Sequence, residues 1–151
     1  MGNAPCVPQK GYAMEDKKEL YHRLMESAAE AREFAYSPYS GYCVGAALLA
    51  EDGRIFTGCN VENAAFSPTN CAERTAVFKA VSEGARRFSA IAIVGGRRGE
   101  TSPFCAPCGV CRQVLAEFCT AELTVLLGTP DHFSVHTLGE LLPFSFTKDE
   151  L

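Results

Sequence analysis

The spacing between apolar runs constrains this chain more tightly than any single residue. Residues 44–50 ("VGAALLA") and 54–60 ("RIFTGCN") are joined through a short stretch holding Asp52-Gly53, a strong hairpin signal, so these two runs form an antiparallel pair. Beyond them the spacing lengthens. "NCAERTAVFKAVSEG" (70–84) is helical in pattern, "FSAIAIVG" (88–95) is a buried-type strand, "CGVCRQVLAEF" (108–118) is a short helix and "ELTVLLG" (122–128) another strand. Strand, helix, strand, helix, strand implies parallel neighbours joined by crossovers. Then the spacing shortens again. Only a few residues separate "ELTVLLG" from a strand candidate at 132–136, and a parallel return needs roughly a dozen, so the last strand runs antiparallel to its predecessor. The expected fold is α/β, a three-layer α/β/α sandwich around a five-stranded mixed sheet.

Helix boundaries are marked locally. Asp16 with Glu19 makes a capping-box pattern, and Leu20, Leu24, Ala28, Ala31 and Ala35 recur at helical spacing until Pro38 stops the run. Asn70 is a natural N-cap for the second helix and Gly84 its C-terminal stop. Residues 1–14 are rich in Pro, Gly and small polar residues and read as a flexible N-terminal arm, which leaves 15–151 as one domain.

Composition narrows the function classes. A chain of 151 residues that is 47% hydrophobic supports one compact core. Its net charge of −4 offers no basic field for nucleic acid phosphates, so a small ligand suits it better. The longest apolar run is far short of the roughly 20 residues of a membrane helix, so no membrane association is expected. Eight cysteines would suit a disulfide framework in a secreted protein, yet "MGNAPCVPQKGYAM" has no apolar signal-type stretch, which points to a reducing cytoplasm. The terminal Lys148-Asp149-Glu150-Leu151 matches a retention tetrapeptide that has no meaning without such a signal.

The chemistry concentrates in "CAERTA" (71–76) and "PCGVCRQ" (107–113). Each places cysteine at the first turn of a predicted helix, where free N–H groups and the positive end of the dipole favour the metal-binding thiolate. Cys108 and Cys111 can converge on one ion, and Cys71 can supply a third ligand, leaving one corner of a tetrahedral Zn²⁺ site open for catalysis. Cys105, flanked by Pro103 and Pro107 in the preceding loop, lacks the shared helical face and is left out. The alternative is a closed structural site of four cysteines that includes it. Glu73, two residues after Cys71, is placed to manage the proton of an activated water, although Asn70 with Glu73 is also a plain capping box. Cys-x-Glu followed by Pro-Cys-x-x-Cys is the pattern of zinc-dependent nucleobase deaminases.

At these residues, and in "AYSPYSGYCVGAAL", "GRIFTGCNVENAAFSPTNCAERTA" and "ELLPFSF", the sequence resembles the cytidine deaminases, specifically the small homotetrameric type acting on free nucleosides, from about Leu20 to Phe146. The resemblance implies pyrimidine salvage: hydrolytic deamination of cytidine and 2′-deoxycytidine, with zinc hydroxide attacking C4 and Glu73 shuttling protons. It implies that Arg74 draws charge from the ligand sulfurs, that Asn60 and Glu62 hold sugar hydroxyls, and that Ala72 offers backbone to the base. Tyr42 stands where the family usually has Phe, against the nucleoside, and Phe66 where some members have Tyr. Phe146 matches an aromatic residue that reaches a neighbouring subunit's site, which implies a homotetramer with shared active sites.

Overall fold

The structure is a computed structural model and describes residues 16–151. The N-terminal arm expected over 1–14 lies outside the described residues. One sheet has the order β2-β1-β3-β4-β5, built from β1 (Tyr42–Ala50), β2 (Ile55–Cys59), β3 (Phe88–Arg97), β4 (Thr124–Thr129) and β5 (His132–Thr137). The helices are α1 (Lys17–Arg32), α2 (Ala72–Ser82), α3 (Gly109–Phe118) and the single turn α4 (Leu138–Leu141).

Period-two alternation along the central strands sorts the core into two halves. Ala46, Leu48, Ile91, Ile93, Val125 and Leu127 face α2 and α3, while Ala47, Leu49, Ala90, Ala92, Val94 and Leu126 face Leu24, Met25 and Ala28 of α1. These are the three layers expected from the sequence. β4 and β5 are antiparallel, as the short connection requires.

Three local expectations change. The β1–β2 hairpin closes with a bond from Ala50 N to Arg54 O, so its loop is Glu51-Asp52-Gly53 with Gly53 at φ 89°. The third position takes the left-handed conformation that glycine adopts without steric cost. β3 pairs parallel with β4 but lies antiparallel beside β1. β2 already occupies one edge of β1, so the crossover through α2 deposits β3 on the other edge, and β2 and β3 are parallel without being neighbours. Finally α1 ends at Arg32, well before Pro38. Beyond it Tyr36 leaves helical geometry to bridge Val61, donating to Asn60 O at 3.0 Å and accepting from Glu62 N at 2.8 Å.

Candidate active site

The N-termini of α2 and α3 meet at one end of the sheet. Cys71 is the N-cap of α2 and Cys108 the N-cap of α3, with Cys111 in the first turn of α3. The Cys71–Cys108 sulfur distance is 3.9 Å and that of Cys108–Cys111 is 3.4 Å, and all three sulfurs lie within 4.8 Å of one another. A tetrahedral zinc with bonds of about 2.3 Å holds its sulfurs about 3.8 Å apart, so the donors fit such an ion. Cys105 stands outside this cluster. Its sulfur lies over Gly95, where an added Cβ would come within 2.3 Å of it. The structure therefore brings Cys71, Cys108 and Cys111 together and leaves Cys105 out of the group.

The thiols are electrostatically unequal. A bond from Cys111, assisted by Arg74, holds Cys71 down at about 5 despite its burial. The bond to Cys71 and then burial push the Cys111 thiol well up. Arg74 Nη2 lies 3.5 Å from Cys71 Sγ and 3.4 Å from Thr69 O, while its buried Nε has no hydrogen-bond partner among the described residues. A cation beside the acidic thiol of Cys71 suits a site that stabilises a thiolate there.

Glu73 is only 4% exposed. Desolvation raises its carboxyl from 4.5 to about 7, and the charge of Cys71 adds to the shift. The Asn70–Glu73 capping box is not formed. Because Cys71 is the N-cap, Glu73 falls one position short of the reciprocal partner site. Asn70 Nδ2 instead donates to Thr75 Oγ1 at 3.0 Å, and that hydroxyl donates to Cys71 O at 3.1 Å, fixing the first turn behind the sulfur. Ala72 is fully buried between the two functional residues, with its carbonyl against Gly58.

Ala72 adjoins the cluster, and the other residues implied for the nucleoside are held by partners of their own. Asn60 Nδ2 donates to Tyr42 O at 2.9 Å and its Oδ1 accepts from Val44 N at 2.8 Å, so the amide braces the start of β1. The Tyr42 hydroxyl lies near the Cys105 thiol and Ser102, and burial above all raises its pKa. Glu62 accepts from Tyr39 N at 2.9 Å, from Ser40 N at 3.2 Å and from the Ser40 hydroxyl; that hydroxyl above all keeps its carboxyl below the ordinary range. Phe66, 73% exposed at φ 57°, meets Tyr39 edge to face. Phe146 is also exposed, its carbonyl held by Gln113 Nε2 at 2.8 Å. Sequence reasoning missed the Asn70–Thr75 hold on Cys71 and the Ser102–Tyr42–Cys105 group. Asn70 carried a signal for a different role, and the second group depends on folding the β3–α3 loop over β1.

The family described as the cytidine and deoxycytidylate deaminase zinc-binding region matches residues 18–127. The cytidine deaminase of Sporosarcina psychrophila is 52% identical over 130 residues, 85% of this chain and 93% of that protein. That of Halalkalibacterium halodurans is 50% identical, covering 85% and 95%. The crystal structure of cytidine deaminase from Burkholderia pseudomallei shares 50% identity at a TM-score of 0.76, covering 83% of this chain and 98% of that one.

Proposed function

The chain belongs to the zinc-dependent cytidine deaminase family, and on that premise we propose how its residues divide the work of hydrolytic cytidine deamination. Cys71, Cys108 and Cys111 hold the zinc. When bound, the metal supplies the Lewis acidity that makes water nucleophilic near neutral pH. Glu73 accepts the water proton and delivers it to N3 as C4 is attacked. It then carries a proton to the exocyclic nitrogen, which leaves as ammonia while the C4 carbonyl of uridine forms. Burial suits Glu73 to both duties, because a carboxyl near 7 takes and gives up protons with little bias at neutral pH. Desolvation acts on Glu73 with or without metal, whereas the contribution of Cys71 is one that a cation offsets. Arg74 draws charge from Cys71 and so limits how far three thiolates blunt the metal's acidity.

Asn60 and Glu62 hold the sugar, and both have capacity left. Asn60 keeps a second N–H and a second lone pair, and Glu62 keeps acceptor positions beyond those used by Tyr39 and Ser40. Ala72 offers backbone to the base, and Tyr42 and Phe66 supply rings. The Tyr42 hydroxyl is raised in pKa by burial beside Cys105, and this tyrosine serves the nucleoside as a ring. The reading extends to 2′-deoxycytidine and to a homotetramer in which Phe146 completes a neighbour's site. The described cysteines are all free thiols, in keeping with a reducing cytoplasm.

The observation that carries this reading is a cluster of three sulfurs within 4.8 Å beside a nearly buried carboxyl. Following the absorbance change as cytidine becomes uridine, with and without a chelator, tests it. Activity that chelation abolishes and zinc restores is expected. Turnover indifferent to the chelator overturns the assignment of the metal.

A further inference from the structure

Arg32, in the last turn of α1, is 7% exposed, and its head group is turned inward. Nε donates to Cys43 O at 3.1 Å, while Nη2 donates to Arg97 O at 2.7 Å and to Glu100 O. Nη1 lies 3.6 Å from the carboxylate of the exposed Glu33. A nearly buried guanidinium is normally matched by a buried carboxylate. This one is matched chiefly by main-chain carbonyls from β1, from β3 and from the loop leading to α3.

Those carbonyls share a location. Tyr42 and Arg97 pair at the outermost rung of the β1–β3 ladder, and Cys43 follows Tyr42. The end of a ladder is where strands fray most easily. Here Arg32 holds both strands at that rung, and Arg98 N donates to Gly41 O at 2.9 Å just outside it. Asn60 grips the carbonyl of Tyr42 from the β2 side. Glu100 lies near the start of the loop that carries Cys105, which packs with the Tyr42 ring over Gly95, and then delivers Cys108 to the sulfur cluster.

Gly45 lets Arg32 reach this position. A Cβ at Gly45 would lie 2.0 Å from Ala28 O and 2.4 Å from Arg32 N, so α1 rests directly on the backbone of β1. Any side chain at Gly45 forces the helix outward and withdraws the guanidinium from the rung.

We propose that Arg32 is a positioning residue for the nucleoside pocket, locking the Tyr42–Arg97 rung and the start of the β3–α3 loop so that both are in place before substrate arrives. This rests on the reading of Tyr42 as a nucleoside contact. A rung fixed in advance removes an ordering cost from binding, so its loss falls on KM.

The test compares Arg32→Lys, Arg32→Met and Gly45→Ala with Met25→Ala, a cavity variant in the α1 core. All are zinc-loaded, checked for metal content and assayed well below their melting temperatures. Arg32→Met is expected to raise KM for cytidine about tenfold, the loss of one charge-assisted hydrogen bond, with kcat changed by less than about threefold. Arg32→Lys, with a charge but no fork, is expected to fall between Arg32→Met and the unsubstituted protein. Gly45→Ala follows Arg32→Met, and Met25→Ala lowers stability with KM unchanged within about twofold. Hydrogen exchange at amides 41–44 and 97–102 is expected to quicken in the Arg32 variants and not in Met25→Ala. Should Arg32→Met fail to fold, Arg32→Lys decides. Unchanged KM and exchange in Arg32→Lys, or an equal KM rise in Met25→Ala, overturns the role of Arg32. Absence of cytidine turnover in the unsubstituted protein overturns the pocket reading instead, while the exchange data still report whether Arg32 closes the rung.

Discussion

The two sides of the candidate site are built differently. On the metal side every functional atom hangs from the first turn of a helix that packs into the core, and Cys111, Ala72 and Glu73 are buried. On the sugar side Glu62 and Phe66 sit on the irregular segment between β2 and α2, and Tyr39, Phe66 and Phe146 are largely exposed. One chain thus finishes the half proposed to move protons and leaves open the half proposed to grip the nucleoside. The contrast teaches where substitutions should act: on turnover and metal at one side, on substrate affinity and assembly at the other.

The largest effect is expected from Cys111→Ala, which removes a buried ligand and should abolish zinc binding and activity together, as read by metal content of the purified protein. Cys105→Ala, a cysteine only a few residues away, should keep its zinc. A shared loss of metal would erase the distinction drawn between these two thiols.

Glu73→Gln sharpens the same side by separating metal from proton transfer. Zinc content should be unchanged while kcat falls by about 10²–10⁴. The substitution also has a pH signature in metal-free protein. The folded carboxyl, near 7, lies above its ordinary value of 4.5, so Glu73 favours folding most below pH 4.5 and loses that contribution as pH rises through 7. Glu73→Gln should therefore be more stable than the unsubstituted protein at pH 8, by on the order of 2 kcal/mol, with the gap closing towards pH 4.5. Denaturant midpoints at the two pH values measure it. A gap that is the same at both would mean that burial does not perturb this carboxyl.

How far each side could be read from sequence follows the same division. Helix starts are local, so "CAERTA" and "PCGVCRQ" announced the sulfur cluster, and connection lengths announced which strands run antiparallel. Whether β3 would join the open edge of β2 or that of β1 was hidden, because a crossover length is compatible with either. The brace formed by Asn60 was hidden as well, since its amide could have been free at a strand end. Nothing in the sequence singles out Arg32. Its role depends on the contact between Gly45 and α1, which joins residues from different layers and leaves no periodic trace.

On the sugar side the expected effects are smaller and appear in KM. Phe66→Ala should raise KM for cytidine up to about tenfold with zinc intact, the contribution of one aromatic contact. If neighbouring copies close this side, dilution below the point of subunit dissociation should lower activity without releasing metal, which sedimentation and zinc content measured on the same samples would separate. Loss of zinc on dilution would mean instead that the metal side also needs a partner.

Tyr42→Phe is expected to have the smallest effect and tests the boundary between the two sides most directly. The substitution keeps the ring and removes only the hydroxyl, whose neighbours Ser102 and Cys105 belong to the loop that ends at the sulfur cluster. Because Arg32 and Asn60 hold the main chain on both sides of Tyr42 independently of that hydroxyl, the rung should survive. A KM change of only about two- to threefold is expected, worth no more than one neutral hydrogen bond. The more telling readout is labelling of Cys105 in zinc-loaded protein by a small alkylating reagent. With the neighbouring phenol hydroxyl gone and the loop freer to lift, this half-buried thiol should react faster while the metal-held cysteines stay protected. Unchanged labelling of Cys105 would show that the loop is held from the main chain alone. The boundary between the rigid and open halves would then lie on the far side of Tyr42.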